Sequence, residues 1–342
     1  MKQKKIFAGI GIFLGIIILG LLVIWVIHQT GKKNIQENML IELTDAITQD
    51  AYENIIYQDE EYSYRENIIN ILCMGIDKLE PMGVRNEADS SMGQSDAIFI
   101  LSIDLEEQKI RLIAVPRDTM VTLQMHRADG SYIGEREGQI TLQYAYGDGA
   151  DLSAMLMAKQ VSSIMGNIPI HAYVAVNVRT LWELNNAVGG VDILMDADYT
   201  KFNPAFVKGE TVHLEGNLME NFIRERDKRD PDGAYTRMHR MKLYMLAFFE
   251  KAKTLVKEDM TFPLQMMSLL ENDIAMNLTA DEVLYLVTEG IKCSFLAEDM
   301  YTLPGDNLLI DGYMEFHLDE EGVQKLIVDL FYERNNPLAF WK

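Results

Sequence analysis

Residues Ile6 to Ile27 run IFAGIGIFLGIIILGLLVIWVI without one charged side chain. Nothing else in the chain restricts its folding as tightly, because a helix of that length rises ~33 Å at ~1.5 Å per residue, the depth of a bilayer's hydrocarbon. A cleaved secretion signal has a shorter apolar stretch of ~7–15 residues and a small-residue cleavage site. This run is longer and ends in Trp25-Val26-Ile27-His28-Gln29, with Trp25 suited to the interface. It reads as an uncleaved signal-anchor over 6–27, behind a cytoplasmic tail of residues 1–5. Lys2, Lys4 and Lys5 favour a cytoplasmic N-terminus. Lys32 and Lys33 oppose that bias, whereas Asp and Glu weigh little in it. The expectation is a single-pass protein of the cell membrane with its remaining residues extracytoplasmic.

Those remaining residues are acidic. The chain has 31 Lys+Arg and 52 Asp+Glu, and residues 1–27 hold three of the lysines and no acid, so 28 bases against 52 acids leave −24 on the rest. Such a balance opposes binding to nucleic acid, whose affinity rests on neutralising phosphates, and no basic recognition helix is present. Phosphate chemistry here needs a local cluster of arginine. Cys73 sits in the apolar run Ile68-Ile69-Asn70-Ile71-Leu72-Cys73 and reads as a buried thiol, with a disulfide to Cys293, the only other cysteine, left open for an extracytoplasmic domain. No Cys or His spacing typical of a metal site occurs.

Residues 28–65 read as a stalk or connector, with Ile35, Met39, Leu43 and Ile47 at helical spacing among acids. From Ile68 short apolar runs take over: Ile68–Ile76, Ala97–Ile103 and Ile110–Val115, the last two close enough to form a hairpin. Helical character over 152–164, a strand over Ala172–Val176 and a helix over 179–187 follow. Gly189-Gly190 turns the chain into a strand at Val191–Leu194, and helices are expected at 215–223, 236–257, 280–290 and 319–333. Alternation of this kind predicts an α/β fold, a three-layer α-β-α domain with a central mixed sheet covered on both faces. The domain is expected to span 66–333, with a C-terminal tail at 334–342.

Polar residues at the ends of buried strands are where α/β proteins place their sites. Asp77 follows the first run, Ser95-Asp96 precedes the second, and Arg117-Asp118-Thr119 follows the third. A single acid at a strand end is what turns and caps carry; three such places on neighbouring strands can converge. The most basic stretch is Arg224-Glu225-Arg226-Asp227-Lys228-Arg229, with Arg237-Met238-His239-Arg240 after it. Arg224 and Arg226 share a face of an extended segment, Arg237 and Arg240 a face of a helix. Such arginines either pair with surface acids or bind phosphate oxygens through the planar guanidinium. Two carboxylates beside an arginine cluster fit Mg²⁺-assisted phosphoryl chemistry, in which the ion is held by one or two carboxylates and the substrate phosphates.

Taken in order, these segments resemble the LytR–CpsA–Psr family. Asn70–Asp77 resembles its first strand and Asp, and Gly93-Gln94-Ser95-Asp96-Ala97 its Gly-Arg-Ser-Asp-Thr element. Val115-Pro116-Arg117-Asp118-Thr119 is similar to its Pro-Arg-Asp-Thr element. Tyr144–Gly147, Ile168–Tyr173, Asn186–Val191, His213–Gly216, Arg237–Arg240 and Phe316–Phe331 match further segments, so that the likeness covers about 66–333. The resemblance implies an enzyme, a membrane-anchored phosphotransferase that moves a phosphoglycan from a polyprenyl-pyrophosphate carrier to a peptidoglycan hydroxyl with Mg²⁺, its polyprenyl chain in an apolar pocket. Carried across, Asp77 and Asp96 would hold the metal, and Arg117, Arg224, Arg226, Arg237 and Arg240 the pyrophosphate. Asp77, Asp96, Arg117, Arg224 and Arg226 would form the catalytic set, and Asp118 would orient an arginine. Gln94 stands where the family often has Arg, Met241 where Gln is usual, and Gln139 and Thr141 where Lys and Asn are common. Other readings stay open on these residues: hydrolysis of the same lipid pyrophosphate, or a catalytically silent lipid-pyrophosphate-binding scaffold of the envelope. A transcriptional regulator is opposed by the anchor and the charge.

Overall fold

The computed structural model describes residues 28–35, 53–85, 92–225 and 233–335. The expected tail 1–5, the anchor 6–27, most of the connector, Arg226 and residues 336–342 lie outside them. Among the described residues no helix is long and apolar enough to cross a membrane.

Residues 54–64, assigned above to the connector, form a hairpin of β1 (Asn54–Tyr57) and β2 (Glu60–Tyr64), with Gln58 and Asp59 at φ 52° and 63° in its turn. Two positive φ values are what a tight hairpin turn demands. Next come β3 (Ile68–Ile76), β4 (Ser95–Asp104) and β5 (Lys109–Ala114), then a polar ribbon of β6 (Met120–His126) and β7 (Tyr132–Gln139). Helix α1 (Asp151–Ile164), β8 (Ala172–Asn177), α2 (Val178–Ala187), β9 (Val191–Leu194), β10 (Thr211–Leu214), α3 (Gly216–Arg224), α4 (Gly233–Glu258) and α5 (Phe262–Leu269) follow. The chain closes with β11 (Ile274–Met276), α6 (Ala280–Gly290), β12 (Met300–Thr302), a ribbon of β13 (Gly305–Ile310) and β14 (Tyr313–Leu318), α7 (Glu320–Phe331) and β15 (Tyr332–Arg334), which pairs with β2.

The centre is a six-stranded mixed sheet in the order β11-β8-β3-β4-β5-β12. β3 is parallel to β8 and antiparallel to β4; β5 is antiparallel to β4 and parallel to β12. Period-two alternation sends Ile68, Leu72, Met74 and Ile76 of β3 to one face and Ile69, Ile71 and Cys73 to the other. The first face is covered by α1 and α7. Ala154, Met157, Ala158 and Val161 of α1 recur at helical spacing and are fully buried there, beside Val323, Ile327 and Val328 of α7. The second face is covered by Tyr285 and Leu286 of α6 and by Met245, Leu246 and Phe249 of α4. The opposite side of α4 closes a third core with β9, β10 and α3, built round Phe206, Phe222 and Tyr244.

Helix starts are set locally. The Asn177 side chain accepts from the Thr180 amide at 3.1 Å and caps α2. Thr279 and Glu282 form a capping box on α6, and the Asp319 carboxylate accepts from the Gly322 amide at 3.1 Å to start α7.

Candidate active site

Because β3 and β5 run one way and β4 the other, the end of β3, the start of β4 and the end of β5 lie along one edge of the sheet. Asp77, Asp96 and Arg117 therefore meet there. A bulge sharpens the meeting: Ile76 pairs with Ser95 and Gly75 with Ala97, which leaves Asp96 as the extra residue. The Gln94 carbonyl then accepts from the Asp77 amide at 2.9 Å and from the Asp96 amide at 3.1 Å. The two acids are pinned to one oxygen, and both residues are exposed.

Arg117 donates through Nη1 to Asp96 Oδ1, and its Nε lies 3.5 Å from Asp118 Oδ1. Asp118 in turn accepts from Gln139 Nε2 at 3.0 Å, and Gln139 also donates to the Met314 carbonyl at 2.6 Å. The main chain of this turn is held as well: the Phe316 amide donates to the Asp118 carbonyl at 2.8 Å and the Thr141 amide to that of Arg117 at 3.1 Å. Arg117 is thus aimed by a carboxylate on each side while its side chain stays 41% exposed. An exposed, pre-aimed guanidinium can exchange its carboxylate partners for phosphate oxygens without rebuilding its surroundings.

Of the segments that carry the other arginines, α4 packs beside β12, the neighbour of β5. Met238 on α4 lies with its sulfur 3.9 Å from Thr302 Oγ1, and Thr302 pairs with Ala114, three residues before Arg117. Arg237, one residue earlier on α4, is half-buried. Arg224, at the end of α3, pairs with Glu220 at 2.7 Å and keeps 53% of its side chain exposed.

Arg240 is placed differently. It is fully buried, and donates to the carbonyls of Asn221 at 3.1 Å, Phe222 and Glu225, with its guanidinium 4.0 Å from the Phe202 ring centroid. Burial lowers its pKa to about 10. Its donors close the end of α3, so it positions the Arg224 segment from beneath and presents no free edge to solvent.

Lys78 is one of two residues of the 78–92 loop, with Arg85, that the sequence offers as a substitute for the arginine missing at Gln94. It is buried beside Asp77, donates Nζ to the Val84 carbonyl at 2.8 Å, and has its pKa lowered by burial. Its carbonyl accepts from Val178, so Lys78 ties the loop after β3 to the start of α2. Gln139 was noticed only as a departure from the family pattern; what makes it matter is a contact 175 residues away at Met314, which sequence adjacency does not reveal.

Below the strand ends, the sheet face turned to α4 and α6 changes. In its lower half Ile69, Ile71, Ile103, Ile110 and Leu112 are buried. Towards the acids Cys73, Gly75, Ala97, Phe99, Val174 and Val176 are only half covered, opposite half-covered Met245, Leu246 and Phe249. This stretch of the face, Cys73, Gly75 and Ala97 among it, is only partly covered beneath the charged edge. Cys73 on it is unpaired, and burial raises its thiol to about 12, so it offers no thiolate. On the β11 side the loop carrying Val84 also walls a cleft of about 930 Å³ with Met82, Leu264, Met267 and Ile274.

Among the described residues no group of three or more His, Cys, Asp or Glu side chains could hold a metal ion. Of the two acids expected to hold a metal, Asp96 gives its Oδ1 to Arg117.

Residues 35–330 match the LytR_cpsA_psr family. A polyisoprenyl-teichoic acid–peptidoglycan teichoic acid transferase, TagU of Bacillus anthracis, is 26% identical over 328 residues, which are 95% of this chain and 96% of that protein. Among solved structures, TagV of B. subtilis superposes with a TM-score of 0.56 at 22% identity, over 78% of this chain and 96% of TagV. TagT bound to LI-WTA superposes with a TM-score of 0.55 at 20% identity, over 77% and 89%. These neighbours share the fold.

Proposed function

The chain belongs to the LytR_cpsA_psr family, and from that premise we propose that it is a membrane-anchored transferase of the cell envelope. Its donor is a glycopolymer carried on a polyprenyl pyrophosphate and its acceptor a peptidoglycan hydroxyl. The observation that carries this reading is the edge where Asp77 and Asp96 hang from one carbonyl beside Arg117, directly above a half-covered apolar face. A pyrophosphate linked to a long hydrocarbon needs both halves of that arrangement. The activity named for the TagU relative, transfer of teichoic acid from a polyisoprenyl carrier to peptidoglycan, is the same chemistry.

In the reaction the acceptor oxygen bonds to the phosphorus that bears the glycan. The bridging P–O bond breaks, polyprenyl monophosphate leaves, and a carboxylate of the pair takes the hydroxyl proton. Arg117 binds the phosphate oxygens and stabilises the charge that grows on them, joined by Arg224, Arg226 and Arg237. Asp118 and Gln139 hold Arg117 in place, and Arg240 holds the end of α3. Mg²⁺ held by Asp77 and Asp96 would neutralise charge on the pyrophosphate.

The test is turnover of a polyprenyl-pyrophosphate glycan in the presence of peptidoglycan, with Mg²⁺ or chelator, beside Arg117→Ala. The reading expects coupling that needs Mg²⁺ and falls by at least ~100-fold in the variant, the usual cost of removing a transition-state charge partner. Release of free phosphoglycan would mean a hydrolase. Donor binding that needs Arg117 but leads to no product would mean a silent binding protein.

A further inference from the structure

Residues 28–35, which directly follow the apolar run, are helical and lie against α6. Ile35 is 1% exposed, within the core between α6 and the sheet. Gly31 lies so close to α6 that a Cβ there would strike the Asp281 carbonyl, with the carbonyl carbon at 2.8 Å and Tyr285 Cβ at 3.0 Å. Asn34 Nδ2 donates to Asp281 Oδ2 at 3.0 Å. His28 Nε2 is 3.1 Å from Glu289 Oε1, and its ring stands edge-on to Tyr285 with centroids 5.0 Å apart. Burial raises the pKa of Glu289, but bonds from Lys292 and His28 outweigh it and hold the carboxyl below its ordinary value. Contacts at 28, 31, 34 and 35 recur at helical spacing, one face against α6. Lys32 and Lys33, between them, are exposed.

The docking place is at the foot of the sheet. Ser294, just beyond α6, accepts from the Ile110 amide at 2.9 Å and donates to the Gln108 carbonyl at 2.9 Å, in the turn that joins β4 to β5. Asp96 and Arg117 stand at the other ends of those two strands. A strand of β4's length, at ~3.4 Å per residue, spans roughly 30 Å.

We propose that residues 28–35 are a strut: the chain leaving the bilayer docks at once on α6, so that the foot of the sheet faces the membrane and the charged edge stands about 30 Å above it. This rests on the reading of Ile6–Ile27 as a bilayer anchor. The sequence leaves no slack for a flexible tether, because His28, the residue after the run, already makes a contact. The exposed lysine face meets the headgroup zone, where anionic lipids attract cations, while the −24 on residues 28–342 keeps the body from lying down on an anionic surface. The consequence for the donor is that its phosphates must climb the sheet, and its tail must leave the bilayer for the half-covered apolar face.

The experiment places the full chain in anionic nanodiscs, with a dye on Leu309→Cys and an acceptor dye on the lipid headgroups. Leu309 is 71% exposed on β13, beside Met314, whose carbonyl Gln139 holds. The strut predicts a narrow distribution of distances at about 30 Å or more from the headgroup plane. Gly31→Val, and separately His28→Ala with Asn34→Ala, broaden it and move its mean towards the bilayer. A dye at the headgroup plane in the parent protein, or variants that leave mean and width unchanged, overturn the strut. Flotation of the same samples separates the two claims. A chain that does not rise with lipid refutes the anchor and the strut with it; a chain that rises with its dye at the surface refutes the strut alone.

Discussion

Replacing Arg240 with methionine separates a residue that builds the site from one that works in it. The substitution keeps an unbranched apolar stem and removes the guanidinium, which lies over Phe202 and serves the carbonyls of Asn221, Phe222 and Glu225. A buried acceptor left without a donor costs ~1–3 kcal/mol, and three of them set an upper bound near ~9 kcal/mol. Two terms reduce that. The pKa, lowered from 12.5 to about 10, shows that holding this charge already costs ~3 kcal/mol, which methionine returns. The end of α3 can also relax towards water, since Glu225 is exposed. The net expectation is a loss of about 3 kcal/mol, a drop in Tm of roughly 5–10 °C for a domain of this size. Arg117→Ala, at a residue bonded only to exposed or half-exposed carboxylates, should move Tm by no more than ~2 °C and abolish turnover. Thermal unfolding followed by circular dichroism, with donor binding on the same samples below Tm, makes the comparison. Arg240→Met with a native Tm and selectively lost donor binding would refute the reasoning and make Arg240 a phosphate ligand.

His171 is buried, accepts at Nδ1 from the Asn70 amide at 3.0 Å, and has its pKa lowered to about 4 by burial. The unfolded chain protonates it near 6.5 and the folded chain only near 4, so its contribution to stability is whole above pH 6.5 and falls as pH drops between those values. Denaturant unfolding at pH 7.5 and 4.5 should show the parent losing about 2–3 kcal/mol more than His171→Asn, which keeps an acceptor and does not titrate; parallel losses would contradict this. Gln139→Ala removes the side-chain bridge between the Asp118 carboxylate and the Met314 carbonyl, while the Phe316 amide still holds the Asp118 main chain. It should lower kcat about 10-fold with little change in donor affinity, as expected of a residue that orients the arginine, whereas an unchanged kcat would remove Gln139 from the site.

The parts of the fold readable in the sequence are those whose side chains report burial. Ile68–Ile76 and Val191–Leu194 appear as strands and 280–290 as a helix at the expected bounds, because apolar spacing there is continuous or periodic. Of the β6–β7 ribbon only β7 lacks a signal, since YIGEREGQ is mostly exposed and carries no apolar alternation, whereas Val121, Leu123 and Met125 of β6 alternate with polar residues and could have been read as a strand. β13 was missed for the converse reason, since Leu308, Leu309 and Ile310 sit side by side yet all face solvent. β1 and β2 fell inside an apparent stalk because β15, the strand that ties β2 to the domain, lies about 270 residues away. In the site, strand ends announced Asp77, Asp96 and Arg117, but the bulge that turns Asp96 beside Asp77 is a matter of register. Arg240 and Arg237 look alike in sequence, three residues apart on one helix. Only the packing of Phe202 and Phe222 around Arg240 distinguishes them.

The central claim is that this chain joins a phosphoglycan to peptidoglycan through a new phosphodiester. Its most direct test is mass analysis of the products when the full chain meets a polyprenyl-pyrophosphate glycan, Mg²⁺ and peptidoglycan. The account predicts muramidase-released fragments that carry the glycan on a phosphodiester, polyprenyl monophosphate in equal amount, and neither product with Asp77→Asn, Asp96→Asn or Arg117→Ala. Polyprenyl monophosphate accompanied only by free phosphoglycan, or donor recovered intact from a protein that binds it, would contradict it.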